Sequence, residues 1–263
     1  MNIIEVKNLT KKYQDLIAVN NISFNVAKGE IFAFLGPNGS GKTTTIKMLT
    51  TLLHPTTGEM TVNGFNPLKE QRQVRQSFGI VFQDPSLDDE LTAYENMSFH
   101  ATLYSIPRGD RAQRIEKLLR FVELWDRRHD LVKHFSGGMR RRLEIARGFL
   151  HHPQIIFLDE PTLGLDPQTR NHIWQYIKNL NREENITIFF TTNYLDEAEK
   201  AAQKVAIIDR GTIMAQGTVA ELKQQTNSDS LEAAFLSLTG KQLRDTSASA
   251  METFRLNRRL WRR

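Results

Sequence analysis

Residues Gly36-Pro37-Asn38-Gly39-Ser40-Gly41-Lys42-Thr43 fit the pattern G-x-x-x-x-G-K-[ST] at every fixed position. The chemistry of that spacing is the holding of phosphate. Gly36, Gly39 and Gly41 let the backbone turn tightly, so that several N–H groups converge on one anion. A helix beginning after Gly41 adds its positive dipole end. Lys42 supplies a cation for the terminal phosphates, and the Thr43 hydroxyl is a hard oxygen ligand for Mg²⁺. Thr44, the next residue, completes the set of expected phosphate contacts.

Two further stretches carry chemistry. Ile155-Ile156-Phe157-Leu158 is an apolar run that ends in Asp159-Glu160. A buried parallel strand ending in acids delivers them to the edge of the sheet where ligands bind. Asp159 is then a candidate Mg²⁺ ligand and Glu160 a candidate for polarising an attacking water. Strand alternation predicts that the two carboxylates point to opposite faces and do different work. An acidic surface turn would look the same in isolation; the phosphate loop upstream favours the functional reading. Ser136-Gly137-Gly138 stands at an expected helix start, with free N–H groups and a hydroxyl. It reads either as an ordinary helix cap or as a second anion cradle, and a second cradle is best explained by a nucleotide held by a partner subunit.

The elements around these residues alternate. Ile31–Leu35 reads as a buried strand before the loop, and 43–53 as the helix after it. Two strand-like runs fill 3–26, with Lys11-Lys12-Tyr13 as the turn between them. Residues 59–64 and 78–82 read as strands, the second delivering Gln83. From about 91 to 134 the apolar residues step by three and four, as in Ile115, Leu118, Leu119 and Val122, which predicts a helical lobe interrupted at Pro107. Strand and helix then alternate through 155–208, the pattern of a parallel sheet with helices on both faces. Gly211 and Gly217 punctuate a small hairpin, and from Leu222 a polar, helix-prone tail is expected.

Composition narrows the class. The 263 residues are 40% hydrophobic and 25% charged, an ordinary globular balance, with no cysteine for disulfide or thiolate chemistry. The start lacks a signal-peptide pattern, and no apolar run reaches the ~20 residues of a membrane span. The net charge of +5 resides entirely in residues 241–263, which hold seven basic and two acidic side chains. The balanced remainder argues against nucleic acid as a partner. Arg255, Arg258, Arg259, Arg262 and Arg263 share one helical face, which fits either a solvated tail or a basic helix resting on anionic lipid.

The motifs together resemble the ATP-binding subunit of an ABC (ATP-binding cassette) transporter, in the family's order over nearly all of residues 1–225. Gly36–Thr43 is similar to Walker A, Gln83 to the Q-loop glutamine and Phe135-Ser136-Gly137-Gly138-Met139 to the signature. Ile155–Asp159 is similar to Walker B followed by the catalytic Glu160, and Gly164-Leu165-Asp166 to the D-loop. The resemblance implies an α/β fold: an ABC-type nucleotide-binding domain, with a P-loop NTPase core, an antiparallel β subdomain, a helical subdomain inserted at about 88–150, and a helical, basic tail over 226–263. It implies ATP and Mg²⁺ as cofactors, with Thr43, Gln83 and Asp159 around the metal. Two cassettes, most simply two copies of this chain, would meet head to tail, each ATP lying between one Walker A and the partner's signature and D-loop, Asp166 included. Tyr13 would stack on adenine, or serve only in packing. Gln83 would report nucleotide state to a separate integral membrane permease docked on the helical lobe, holding the chain peripherally at the cytoplasmic face of the membrane.

Pro161–Pro167, Arg141–Arg147 and Tyr194–Glu199 are similar to the drug- and antibiotic-exporting branch, which includes daunorubicin-resistance and nodulation-factor export ATPases. One departure stands out. Asn193 occupies the place of the family's switch histidine after Thr191-Thr192. Asparagine donates a hydrogen bond but does not carry a proton as imidazole does. Slower turnover, or binding with poor hydrolysis, is the expectation. A non-transport or regulatory cassette is the alternative.

Overall fold

The structure is a computed structural model and describes residues 1–240; the arginine-rich segment 241–263, with its expected lipid or solvent face, lies outside the described residues. Among the described residues, nine strands form two sheets. β1 (Asn2–Tyr13), β2 (Leu16–Ala27) and β4 (Thr57–Val62) make an antiparallel sheet in the order β2-β1-β4. β3 (Ile31–Leu35), β5 (Phe78–Val81), β6 (Ile155–Asp159), β7 (Thr187–Thr192), β8 (Lys204–Asp209) and β9 (Thr212–Gly217) form the second, in the order β5-β6-β7-β3-β8-β9. All of its pairings are parallel except β8 with β9.

β3 shows why this sheet is central. All five residues are buried, and alternation sends them to two cores. Phe32 and Phe34 join Phe24, Phe157 and Phe189 beneath the antiparallel sheet and α1 (Lys42–Leu49), with ring centroids 5.4–5.9 Å apart. Ile31, Ala33 and Leu35 join the opposite core, with residues of α3 (Ala93–Leu103), α4 (Arg108–Phe121), α5 (Gly137–Phe149), α6 (Pro167–Glu184) and α7 (Leu195–Ala201). A short helix α2 (Gln71–Ser77) precedes β5. α3 and α4 lie between β5 and β6 in the chain, and Pro107 caps α4 at the expected break.

Two expectations need correction. Lys11–Tyr13 belongs to β1, paired with Val19, Ile17 and Leu16, and the turn falls at Gln14-Asp15, where Gln14 takes φ 50°. Side-chain character misled: Lys-Lys-Tyr suits an exposed hairpin end as well as a turn. The region after Leu222 is no polar appendage through residue 239. α8 (Val219–Gln225) and α9 (Leu231–Thr239) bury Leu222, Leu231 and Phe235 in the core of the helical face. The polar stretch 223–230 sets the character of the segment, although Leu231, Phe235, Leu236 and Leu238 behind it are apolar.

Candidate functional site

The loop 36–41 leaves the C-terminal end of β3 and enters α1 through Gly41, which takes φ 106°. Side chains have no room at its two ends. A Cβ on Gly36 would stand 2.2 Å from the Ile208 carbonyl, and one on Gly41 would stand 2.6 Å from that of Ala18. β2 and β8 thus press the loop into shape from outside. The Gly36 N–H donates to Thr192 O, and the Gly211 N–H to Ser40 O. The Ser40 hydroxyl is buried and has no hydrogen-bond partner among the described residues. Pro37 is partly buried, Asn38 and Gly39 are exposed, and Thr43 and Thr44 are partly buried on the first turn of α1.

Lys42 is only 4% exposed. Its Nζ donates to Gly36 O at 2.8 Å and Pro37 O at 3.1 Å, and lies 3.2 Å from Glu160 Oε1. Burial pulls the ammonium below the ordinary lysine range; the charges of Glu160 and Asp159 act against that pull. Glu160 meets the cation directly, whereas Asp159 acts on it only through its charge from farther off. β6 ends at Asp159, and Glu160 takes the left-handed conformation at φ 47°, so the strand rule that would send them to opposite faces stops one residue too early. A non-glycine residue in this conformation is strained, and Thr191 holds it there. The Glu160 N–H donates to Thr191 Oγ1 at 3.0 Å and to Thr191 O at 3.2 Å, while the Thr191 hydroxyl donates to Asp159 Oδ1 at 2.6 Å.

Beyond Thr191, Thr192 donates to the buried carboxylate of Glu197 at 2.9 Å, and Thr162 donates to its other oxygen. Burial pushes the Glu197 carboxyl up, and those hydroxyls offset only part of that push. This pins the two sides of the turn that carries Asn193, which is partly buried. Gln83 follows β5 and is exposed. Tyr13, 44% exposed, sits at the end of the hairpin whose Ala18 and Val19 abut Gly41, and Lys11 Nζ lies 5.1 Å above its ring.

The second cradle is built differently. Ser136 caps α5, accepting the Met139 N–H at 3.2 Å, and Asp166 caps α6, accepting the Thr169 N–H at 3.0 Å and its hydroxyl at 2.6 Å. Those bonds hold the Asp166 carboxyl below its ordinary range. A Cβ on Gly138 would meet Thr169 Cγ2 at 2.7 Å, so the two helix starts are packed together. Ser136, Gly137 and Asp166 are exposed.

Lys42, Asp159 and Glu160 thus meet in one buried cluster, while Ser136, Gly137 and Asp166 form an open surface of their own. Reading residue types missed Thr191, Thr192 and Glu197, which orient that cluster. The available signal was two threonines ending an otherwise apolar strand.

Comparison with known proteins agrees with this geometry. A family model described as ABC transporter matches residues 19–163. The chain is 39% identical to the linearmycin resistance ATP-binding protein LnrL of Bacillus subtilis, over 87% of this chain and 73% of that protein. It is 41% identical to the daunorubicin/doxorubicin resistance ATP-binding protein DrrA of Streptomyces peucetius, over 87% of this chain and 69% of that one. Among solved structures, an ATP-binding subunit of an ABC transporter superposes with a TM-score of 0.82 at 30% identity, over 90% of this chain and 99% of that one. A dimeric ATP-binding cassette bound to ADP and Pi superposes with a TM-score of 0.75 at 28% identity, over 82% and 98%. The chain belongs to the ABC transporter family, as an ATP-binding cassette.

Proposed function

We propose that this cassette hydrolyses ATP to drive export of a drug- or antibiotic-like molecule through a separate membrane permease. The observation that carries the catalytic half is the buried Lys42–Glu160 contact at the mouth of the phosphate loop. Lys42 is held by carbonyls of its own loop and by Glu160, all of which release it readily to a phosphate of higher charge. Glu160, freed from Lys42, is the general base that takes a proton from the attacking water. Asn193 donates a hydrogen bond beside the terminal phosphate without moving a proton. Asn193→His is expected to raise turnover severalfold; unchanged turnover would show that position 193 does not limit it.

The donor set suits Mg²⁺. The Thr43 hydroxyl, the Asp159 carboxylate and the Gln83 amide oxygen are hard oxygen ligands, and the partnerless Ser40 hydroxyl marks the loop as shaped for a polar guest. When bound, the ion neutralises charge on the phosphates. Tyr13 supplies a face for the adenine ring, and Ser136–Gly138 with Asp166 receive the nucleotide of a second cassette.

The export half rests on relatives named for linearmycin and daunorubicin resistance. No helix among the described residues is long and apolar enough to cross a membrane; this reading gives the translocation path to a separate permease. The surface offered to that chain is a groove of about 440 Å³ beside the Gln83 segment, where Phe99 and Leu103 are exposed.

The test is complementation. Lys42→Ala and Ser136→Glu are each expected to abolish ATPase activity. A mixture of the two chains should regain activity that neither has, because one composite site then combines an intact Walker A with an intact signature. Mixtures as inactive as their components would sink the shared-site reading.

A further inference from the structure

The guanidinium of Arg141 has five N–H donors, and all five are used. Nε donates to Pro161 O at 2.5 Å. One terminal nitrogen donates to Phe82 O at 2.5 Å and Glu144 Oε2 at 3.0 Å; the other donates to Asp159 O and Glu160 O, each at 3.2 Å. The side chain is buried, 8% exposed. Its acceptors come from two adjacent strand ends. β5 stops at Val81 and β6 at Asp159, so the carbonyls just beyond them have left the ladder and need donors from elsewhere. Phe82 directly precedes Gln83, and Glu160 is the proposed base.

Glu144, one turn along α5, completes the arrangement. Its second oxygen accepts the Ser86 N–H at 2.7 Å and the Ser86 hydroxyl at 3.3 Å, and Arg147 donates to Ser86 O at 2.8 Å. α5 therefore grips the segment 82–86 at both ends and the turn 159–161 between them. The same helix begins at Ser136–Gly138, the face offered to a second cassette.

We propose that Arg141, oriented by Glu144, is a positioning residue for ATP hydrolysis: it fixes the Gln83 segment and the Glu160 turn in one frame on the signature helix. Any displacement of α5 on meeting a second cassette is then passed to both at once. A buried arginine whose purpose was stability alone would need carbonyls, but not those flanking two functional residues. Lysine fails to replace it, having no planar fork and only three donors. The inference rests on the reading of Glu160 as general base.

The experiment measures single-turnover ATP hydrolysis with Mg²⁺, ATP affinity and thermal midpoint on the purified full-length chain. Arg141→Met, Arg141→Lys and Glu144→Gln are each made in wild-type and Glu160→Gln backgrounds. Arg141→Met should lower the rate by roughly 10- to 100-fold, the scale of a misplaced catalytic group, with ATP affinity changed less than about threefold. Arg141→Lys should recover little, and Glu144→Gln should fall between. In the Glu160→Gln background the further loss should shrink below about threefold, because no base remains to be misplaced. An equal fold-loss in both backgrounds, or an unaltered rate in a folded variant, overturns the inference while leaving Glu160 as base. A rate unaffected by Glu160→Gln overturns both. If Arg141→Met does not fold, the Arg141→Lys and Glu144→Gln pairs carry the same comparison.

Discussion

The two surfaces proposed to hold phosphate are made from the same local device, a glycine-rich turn entering a helix, yet they are finished in opposite ways. At Gly36–Thr43 the loop is closed by charges from its own chain. Lys42 is buried, bound to two loop carbonyls, and paired with Glu160. At Ser136–Gly138 the helix start lies at the surface with the Ser136 hydroxyl accepting the Met139 N–H, and the nearby Arg140 guanidinium is partly exposed and tied to Phe135 O and Asp89. The first surface must give up internal partners when a nucleotide arrives; the second has few to lose. The nucleotide-free cassette thus keeps Lys42 and Glu160 mutually neutralised, and leaves the Ser136 surface open.

That contrast predicts unequal sensitivity to substitution. Lys42→Met leaves the buried Glu160 carboxylate without its cation, which costs about 3–5 kcal/mol, or a fall in thermal midpoint of roughly ten degrees for a chain of this size. Lys42→Met with Glu160→Gln removes both charges and should recover at least half of that loss. The measurement is the unfolding midpoint of the nucleotide-free protein. A double variant whose loss is the sum of the single ones would mean that the pair is not coupled and that the loop is held by its glycines alone.

How much of this was legible beforehand follows the same division. The loop, the strand before it and the acids after β6 are read from residue types, because backbone freedom and ligand chemistry leave few substitutes there. The strand Ile31–Leu35 is an unbroken apolar run, and buried parallel strands have that signature. What could not be read is long-range. Nothing local says that Thr191 will stand opposite Asp159, since that pairing is set by register between β6 and β7. Arg141 and Glu144 look like an ordinary helical ion pair until β5 and β6 are laid beside them, ending at neighbouring positions. The left-handed turn at Glu160 was hidden because nothing in Leu158-Asp159-Glu160 marks where the strand stops. Phe235 in α9 reads as tail because its burial depends on how α9 folds back against α7, α8 and β9, which the local sequence does not show.

The open surface should respond more mildly. Ser136→Ala removes the cap that accepts the Met139 N–H and should cost about 1 kcal/mol, a few degrees of midpoint. ATP affinity of the isolated chain should stay within about twofold, since Lys42 and its loop are untouched. A loss as large as that of Lys42→Met would erase the distinction between the two surfaces.

The smallest effect tests whether Asp166 acts in the isolated chain as a helix cap. Its carboxylate is held below the ordinary 3.8 by the Thr169 hydroxyl and N–H. The folded protein therefore binds this proton less readily than the unfolded chain. The stabilisation is complete above about pH 4 and is lost as pH falls through the lowered value. Asp166→Asn keeps a capping oxygen but cannot titrate. Its midpoint should lie slightly below wild type near neutral pH, and the gap should close as acid is added. A gap that stays constant down to the acid limb would assign the Asp166 contribution to packing against Gly138 and Thr169 rather than to its charge. The open surface would then be held by shape alone, a sharper contrast with the buried ion pair at Lys42.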